Sequence, residues 1–278
     1  MSDPMHVILH NDATNAMVAQ LVALYPDLQI TAVNSNAALA EAVSVSEPDV
    51  IYSIRFDGAS PYPADVLFGA SRLRWLAVGG AGTDHLGTWD ASKVTVTNAA
   101  GVAADMMAEY ILGTFLHFTL DIPGLQADKA AHHWDRYRLV RPLKGKTLVI
   151  AGLGHTGQSL ASLAKAFGMR VVGTRARARE MENVDYVGTP YELSDLLAEA
   201  DFVAVTSPLL PSTRGMIGVH ELSKVKRGAI LSDVSRGNVI DHEALVAALK
   251  RGQIAGAALD VFPQEPLPQD AEIWDIPN

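Results

Sequence analysis

The chain contains no cysteine, which excludes disulfides, cysteine-ligated zinc and a cysteine nucleophile together. Positive charge is also in short supply: 22 Lys and Arg against 31 Asp and Glu leave a net charge of −9. A chain of that sign has no broad attraction to nucleic acid or to anionic membrane surfaces. No apolar run is long enough to span a bilayer. The opening stretch MSDPMHVILHNDATNAM lacks the basic region and following apolar run of a signal peptide. These absences read as a cytoplasmic protein with no membrane and no nucleic-acid partner. What is present is apolar content: 49% of 278 residues, enough for a large core or two domains.

Short β-branched or apolar runs alternate with alanine-rich amphipathic segments. HVILH, LQITAV, DVIYSI, RWLAVGG and VTVTN come first, followed by a long helical stretch, GVAADMMAEYILGTFLHFTL. The pattern then restarts with KTLVIAGLG, MRVVGT, DFVAVTS, GAILSDVS and IAGAALDVF. Strands alternating with helices predict parallel sheets wound by crossover helices. Two such series predict an α/β protein of two doubly wound parallel-sheet domains, residues 1–98 and 99–278, with the boundary near Asn98. The segment DIPGLQADKAAHHWDRYRLVRPLKGK (121–146) reads as a polar loop, able to reach over a partner subunit as an arm.

TLVIAGLGHTGQSLASLAKAF sets Gly152, Gly154 and Gly157 in the pattern G-x-G-x-x-G, after an apolar strand and before an amphipathic helix. That context makes the pattern a dinucleotide-binding loop. Gly152 permits the tight turn, Gly154 lets the backbone approach a pyrophosphate, and Gly157 lets helix pack on strand. The pyrophosphate would sit on the N–H groups opening the helix, around Leu153, His155 and Thr156. The next strand runs into MRVVGTRARARE, so Arg175 stands 175 − 152 = 23 positions beyond Gly152. NAD-binding proteins carry an acid at about 20 positions, on the ribose 2′-hydroxyl. Arg175 does the opposite, since a guanidinium grips a 2′-phosphate with two prongs. Thr174 adds a hydroxyl and Arg177 or Arg179 a second cation. The expected cofactor is NADP(H), preferred over NAD(H).

The downstream blocks SRGNVID and ALDVFPQEPLP, together with GLGHTGQ, AGTDHL at 81–86 and NAAGVAADMMAEYILG at 98–113, resemble the D-isomer-specific 2-hydroxyacid dehydrogenases. The likeness runs from about Leu73 to the end, and the arginine-bearing second strand is most similar to the NADP(H)-preferring glyoxylate/hydroxypyruvate reductases. The resemblance implies a flavodoxin-like substrate domain and a Rossmann cofactor domain with the cleft between them, a homodimer joined through the cofactor domains, and no metal. It further implies NADPH-dependent reduction of a small 2-oxo acid, glyoxylate or hydroxypyruvate, to the 2-hydroxy acid. Arg236 matches the arginine on the substrate carboxylate and keto oxygen, and Glu265 the acid that orients and charges a catalytic histidine. Asp260 and the Val234 main chain match the clamp on the nicotinamide carboxamide. Ser207 and Pro208 match the turn lining the cofactor, the N–H groups at Ala81 and Gly82 a carboxylate loop, and Trp134 an arm residue that reaches the neighbouring active site in some relatives.

The proton donor departs from the pattern, because none of the nine histidines lies in a matching motif. His155 sits in the phosphate turn, His220 and His242 on helical segments, and His132 and His133 in the polar loop. Asp84 and His85 read as turn residues and Glu109 as a boundary or hinge residue. Relatives place the histidine just after the equivalent of IWDIPN, and the sequence stops at Asn278. The expectation is therefore a piece of a longer protein whose continuation supplies that histidine. Two alternatives stay open: a reductase of a bulkier 2-oxo acid, and a non-catalytic NADP(H)-binding regulatory protein.

Overall fold

The computed structural model describes residues 4–12, 14–54 and 61–278. They fall into two compact units, Met1–Val102 and Ala103–Asn278.

In the first unit five parallel strands alternate with helices. The strands are β1 (His6–His10), β2 (Gln29–Val33), β3 (Val50–Ser53), β4 (Trp75–Val78) and β5 (Thr95–Asn98). Helices α1 (Thr14–Leu24), α2 (Asn36–Ser46) and α3 (Ala64–Phe68) connect the first four. The sheet order 2-1-3-4-5 is the flavodoxin-like winding. Ile8, Leu39, Ile51, Leu67 and Leu76 fill its core and are fully buried.

The second unit begins with α4 (Ala104–Thr119) and α5 (Ile122–Ala130), then winds β6 (Thr147–Ala151), α6 (His155–Ala166), β7 (Arg170–Thr174), β8 (Tyr186–Gly188), α7 (Leu193–Leu197) and β9 (Phe202–Val205). It closes with α8 (Val219–Lys224), β10 (Ala229–Asp233), α9 (His242–Lys250) and β11 (Ile254–Leu259). All six strands are parallel, in the order β11-β10-β9-β6-β7-β8. Counted from β6, that is the Rossmann order 3-2-1-4-5-6 read from its far edge. Strands β6, β9 and β10 are buried at every position, because helices cover both faces, and this is why they read as unbroken apolar runs. One core layer lies among α7, α8 and α9, the other beneath α4 and α6.

Two features differ from the sequence expectation. Strand β8 is a sixth strand where five apolar runs were read; its three residues YVG pair with β7 but are too short to signal a strand alone. The segment after Thr119 is not all loop. Asp121 caps α5 by accepting the Gly124 N–H (3.2 Å), and Pro123 occupies its first turn, a good helix start. Beyond it, Arg138 pairs with both Asp121 and Asp128. Among the described residues no helix is long and apolar enough to cross a membrane.

Candidate functional site

Strands β6 and β9 are neighbours while the chain continues from β6 into β7 on the other side. Ligands of open α/β sheets bind outside the carboxyl ends of the strands at such a switch point. The glycine loop lies there. Gly152 has φ +113°, a left-handed conformation that disfavours any side chain. A Cβ there would also lie 2.6 Å from the Ser207 hydroxyl and 2.7 Å from its nitrogen. A Cβ at Gly157 would lie 2.5 Å from the Gly152 carbonyl oxygen, so only glycine lets α6 come this close to the strand end. Gly154 is different: its φ of −83° is open to any residue, and an added Cβ meets no atom within 4 Å. The packing of the protein does not require glycine at 154. The space it leaves open lies directly before the N–H groups that start α6, a helix with no side-chain cap, where backbone donors and the helix dipole favour an anion.

Of the neighbouring loop residues, Leu153 contributes its main chain only. Its side chain is buried beside Gly173 in the core. His155 is exposed and Thr156 half-buried, both in the first turn of α6. From β9, Thr206 donates its hydroxyl to the Gly152 carbonyl (2.6 Å) and Ser207 donates to the Ala151 carbonyl (2.9 Å). Pro208 is exposed beside them and its carbonyl accepts from Thr213 (2.6 Å). Thr206 was not singled out from the sequence, although its place directly after an apolar strand is the signal that finds it.

At the end of β7, the Thr174 carbonyl accepts the N–H groups of Gly152 (3.2 Å) and Leu153 (2.8 Å). The residue itself is 3% exposed. Its visible part is therefore to hold the glycine loop, whereas the hydroxyl expected to meet a 2′-phosphate is buried. Arg175, half-buried, follows at once; its main-chain N–H binds the Gly188 carbonyl (3.1 Å) and its guanidinium approaches the Met181 sulfur (3.4 Å). Arg177 and Arg179 are exposed.

The carboxyl ends of β10 and β11 carry the remaining candidates. The Val234 N–H donates to the Val205 carbonyl (3.2 Å) and the Asp260 N–H to the Asp233 carbonyl (2.9 Å), tying three strand ends together. Between them the turn Ser235–Asn238 presents Arg236, whose guanidinium donates to the Ser235 carbonyl (2.7 Å). A side chain at Gly237 would collide with the main chain of Phe262 and Pro263. The turn is thereby pressed flat against the loop that ends in Glu265, and Glu265 accepts the Phe262 N–H (3.1 Å). The charges of Asp260 and Glu265 are within reach of each other, and the Arg236 turn packs against the loop between them.

The acids of this cluster repel one another. Asp233 is 2% exposed and its carboxyl is pushed up to about 6, first by burial; bonds from Ser235 oppose the shift and the charge of Asp260 adds to it. Partial desolvation, and then the Glu265 charge, raises Asp260 as well. Tyr110 of α4 is also raised, chiefly by desolvation and then by Asp260. Asp233 and Gly237 are both absent from the sequence reading, since neither burial nor contact with a loop 25 residues away is written in a local pattern.

In the first unit, Ala81 and Gly82 follow β4. The Asn98 amide donates to the Ala81 carbonyl (2.7 Å), and Ala99 binds Gly80 (3.0 Å), so the loop is fixed to the end of β5. Trp134 is 88% exposed on the arm, and His132 and His133 beside it are exposed too.

Comparison with known proteins is consistent with this geometry. The model of the NAD binding domain of D-isomer specific 2-hydroxyacid dehydrogenases matches residues 112–278. The chain is 37% identical to the glyoxylate reductase of Korarchaeum cryptofilum over 248 residues, 84% of this chain and 72% of that protein. It is 35% identical to the D-3-phosphoglycerate dehydrogenase of Methanocaldococcus jannaschii over 221 residues, 77% of this chain but 41% of that protein's length. A crystal structure of a D-isomer specific 2-hydroxyacid dehydrogenase family protein from Aeromonas salmonicida has a TM-score of 0.87 at 30% identity, covering 99% of this chain and 87% of that one.

Proposed function

The chain belongs to the D-isomer-specific 2-hydroxyacid dehydrogenase family, and from that premise we propose that it serves the NADPH-dependent reduction of a small 2-oxo acid, glyoxylate or hydroxypyruvate, to the 2-hydroxy acid. The observation that carries this reading is the contact at Gly237, which packs the Arg236 turn against the Phe262–Glu265 loop at the same sheet edge as the glycine loop.

Each residue has a part in it. The Gly152–Gly157 loop and the first N–H groups of α6 hold the pyrophosphate, in the space left open at Gly154. Arg175 takes the 2′-phosphate with Arg177 as a second cation; Ser207 and Pro208 line the turn beside them. Asp260 and the Val234 main chain orient the nicotinamide carboxamide. The bound cofactor supplies the hydride. Arg236 grips the substrate carboxylate and keto oxygen, so that negative charge growing on that oxygen meets a fixed cation. Glu265 is a positioning residue, the partner of a protonated imidazole that delivers the proton. The exposed Trp134, Tyr137 and Leu139 on the arm support a homodimer joined through the cofactor-binding units.

Two variants test the assignment by binding alone. Arg175→Asp should reverse the preference, weakening NADPH and tightening NADH by roughly tenfold each, read by nicotinamide fluorescence. Arg236→Ala should abolish binding of oxalate, an unreactive mimic of a 2-oxo acid, with NADPH affinity within about twofold of wild type. An unchanged cofactor preference refutes the role of Arg175, and unchanged oxalate binding refutes that of Arg236.

A further inference from the structure

Asp233 has no part in the reaction as derived so far, yet it is the most deeply buried acid at this edge of the sheet. It ends β10, one residue before Val234 and three before Arg236. Both of its hydrogen bonds from Ser235 arrive at one oxygen, Oδ1: the N–H at 2.9 Å and the hydroxyl at 2.5 Å. Oδ2 is outside that pair. A proton on Oδ2 would remove the charge and leave Oδ1 accepting from Ser235, so the turn that carries Arg236 keeps its anchor in both forms.

We infer that Asp233 is an affinity-tuning residue: its charge, held behind the Arg236 turn, sets how strongly that turn attracts a carboxylate substrate, while its Oδ1 holds the turn's geometry unchanged. The inference rests on Arg236 being the substrate anchor. The groups that face Asp233 fit this role. Asp260 approaches from the end of β11, with Glu265 acting on it in turn, and both are negative. Tyr110 lies near Asp260 on α4, His242 of α9 meets Phe262 edge-on at 6.2 Å, and β9 pairs Val205 with Asp233. Ser235, held by Asp233, also accepts from the Arg236 guanidinium, so Asp233 and Arg236 share one anchor, and an incoming 2-oxo acid adds a further negative charge there. Discharging the one acid that is out of water removes the least screened repulsion. Burial places that proton uptake at about pH 6, within a physiological range.

The experiment is oxalate binding to the NADPH-loaded protein by calorimetry from pH 5 to 7.5, for wild type, Asp233→Asn and Arg236→Ala. Asparagine keeps the Oδ1 acceptor and has no charge. Wild type should lose about fivefold in oxalate affinity as pH rises through 6, and Asp233→Asn should stay at the tight limit throughout that step. If Asp233→Asn loses affinity over the same range as wild type, the inference is overturned while the anchor stands. If Arg236→Ala binds oxalate like wild type, the anchor reading has failed and the inference falls with it. Carbon-13 NMR of the Asp233 carboxyl in the wild-type protein gives a check that needs no variant: a midpoint near an ordinary carboxylate overturns the inference, and one near 6 that tracks oxalate affinity supports it.

Discussion

Two loops at the carboxyl edge of the second sheet divide the work, and they are built on different physics. The glycine loop at 152–157 is neutral and shaped by sterics, with Gly152 and Gly157 required by contacts that no side chain would clear. The loop pair at 233–237 and 260–265 is shaped by one steric contact, at Gly237, but filled with charge: Asp233, Arg236, Asp260 and Glu265. The first takes its shape from steric contacts at its glycines. The second carries acids that repel one another, one of them raised to about 6, and its behaviour must follow protonation.

The largest effect should come where the second loop borrows the logic of the first. Gly237→Ala forces a Cβ into the main chain of Phe262 and Pro263, and backbone cannot swing aside as a side chain can. We expect a loss of about 4 kcal/mol, or failure to fold, measured by denaturant unfolding. A variant as stable as wild type would show that the two loops can part freely, and the Arg236 turn would then not be fixed against the Phe262–Glu265 loop by packing.

The next effect separates the loops by pH. Asp233 has its carboxyl raised from 3.8 to about 6, so the folded state binds a proton that the unfolded chain releases between those values. Stability from this group is fully present below about pH 4 and lost as pH rises through 6, a change of about 3 kcal/mol. Asp49 and Asp185 are held low by hydrogen bonds and basic neighbours and contribute with the opposite sign. The quantity to measure is therefore the difference between wild type and Asp233→Asn from pH 4 to 7. A difference that does not change over that range would mean Asp233 titrates as an ordinary carboxylate.

The same contrast explains what could be read before the structure. Alternating strands and the glycine pattern were legible because their causes are local: buried parallel strands need unbroken apolar runs, and a tight turn with φ near +113° needs glycine at 152. The flavodoxin-like and Rossmann windings follow once the strands are placed. Strand β8 was not legible, since three residues gain their order only by pairing with β7. Asp233 was illegible for a related reason. The letters SDVS do not say that the strand end is 2% exposed or that Asp260 will stand across from it. Thr174 shows the same limit: its place at the end of a strand was legible, but its burial and the hold of its carbonyl on the glycine loop were not.

The smallest effect on stability should be the most informative about binding. Gly152 and Gly154 are the same letter in one motif, yet only Gly152 is demanded by the protein itself. Gly154 has an ordinary backbone conformation and empty space where its Cβ would be. Gly154→Ala should thus cost under about 1 kcal/mol, the difference between glycine and alanine at a helix start. Its methyl group would stand in the space assigned to the pyrophosphate, and NADPH affinity should fall by more than about tenfold. Unfolding and nicotinamide fluorescence on the same sample separate the two quantities. Should NADPH bind Gly154→Ala as well as wild type, the phosphates do not lie before α6. If instead stability falls with binding, the glycine serves the fold, and the empty space at residue 154 is not a ligand cradle.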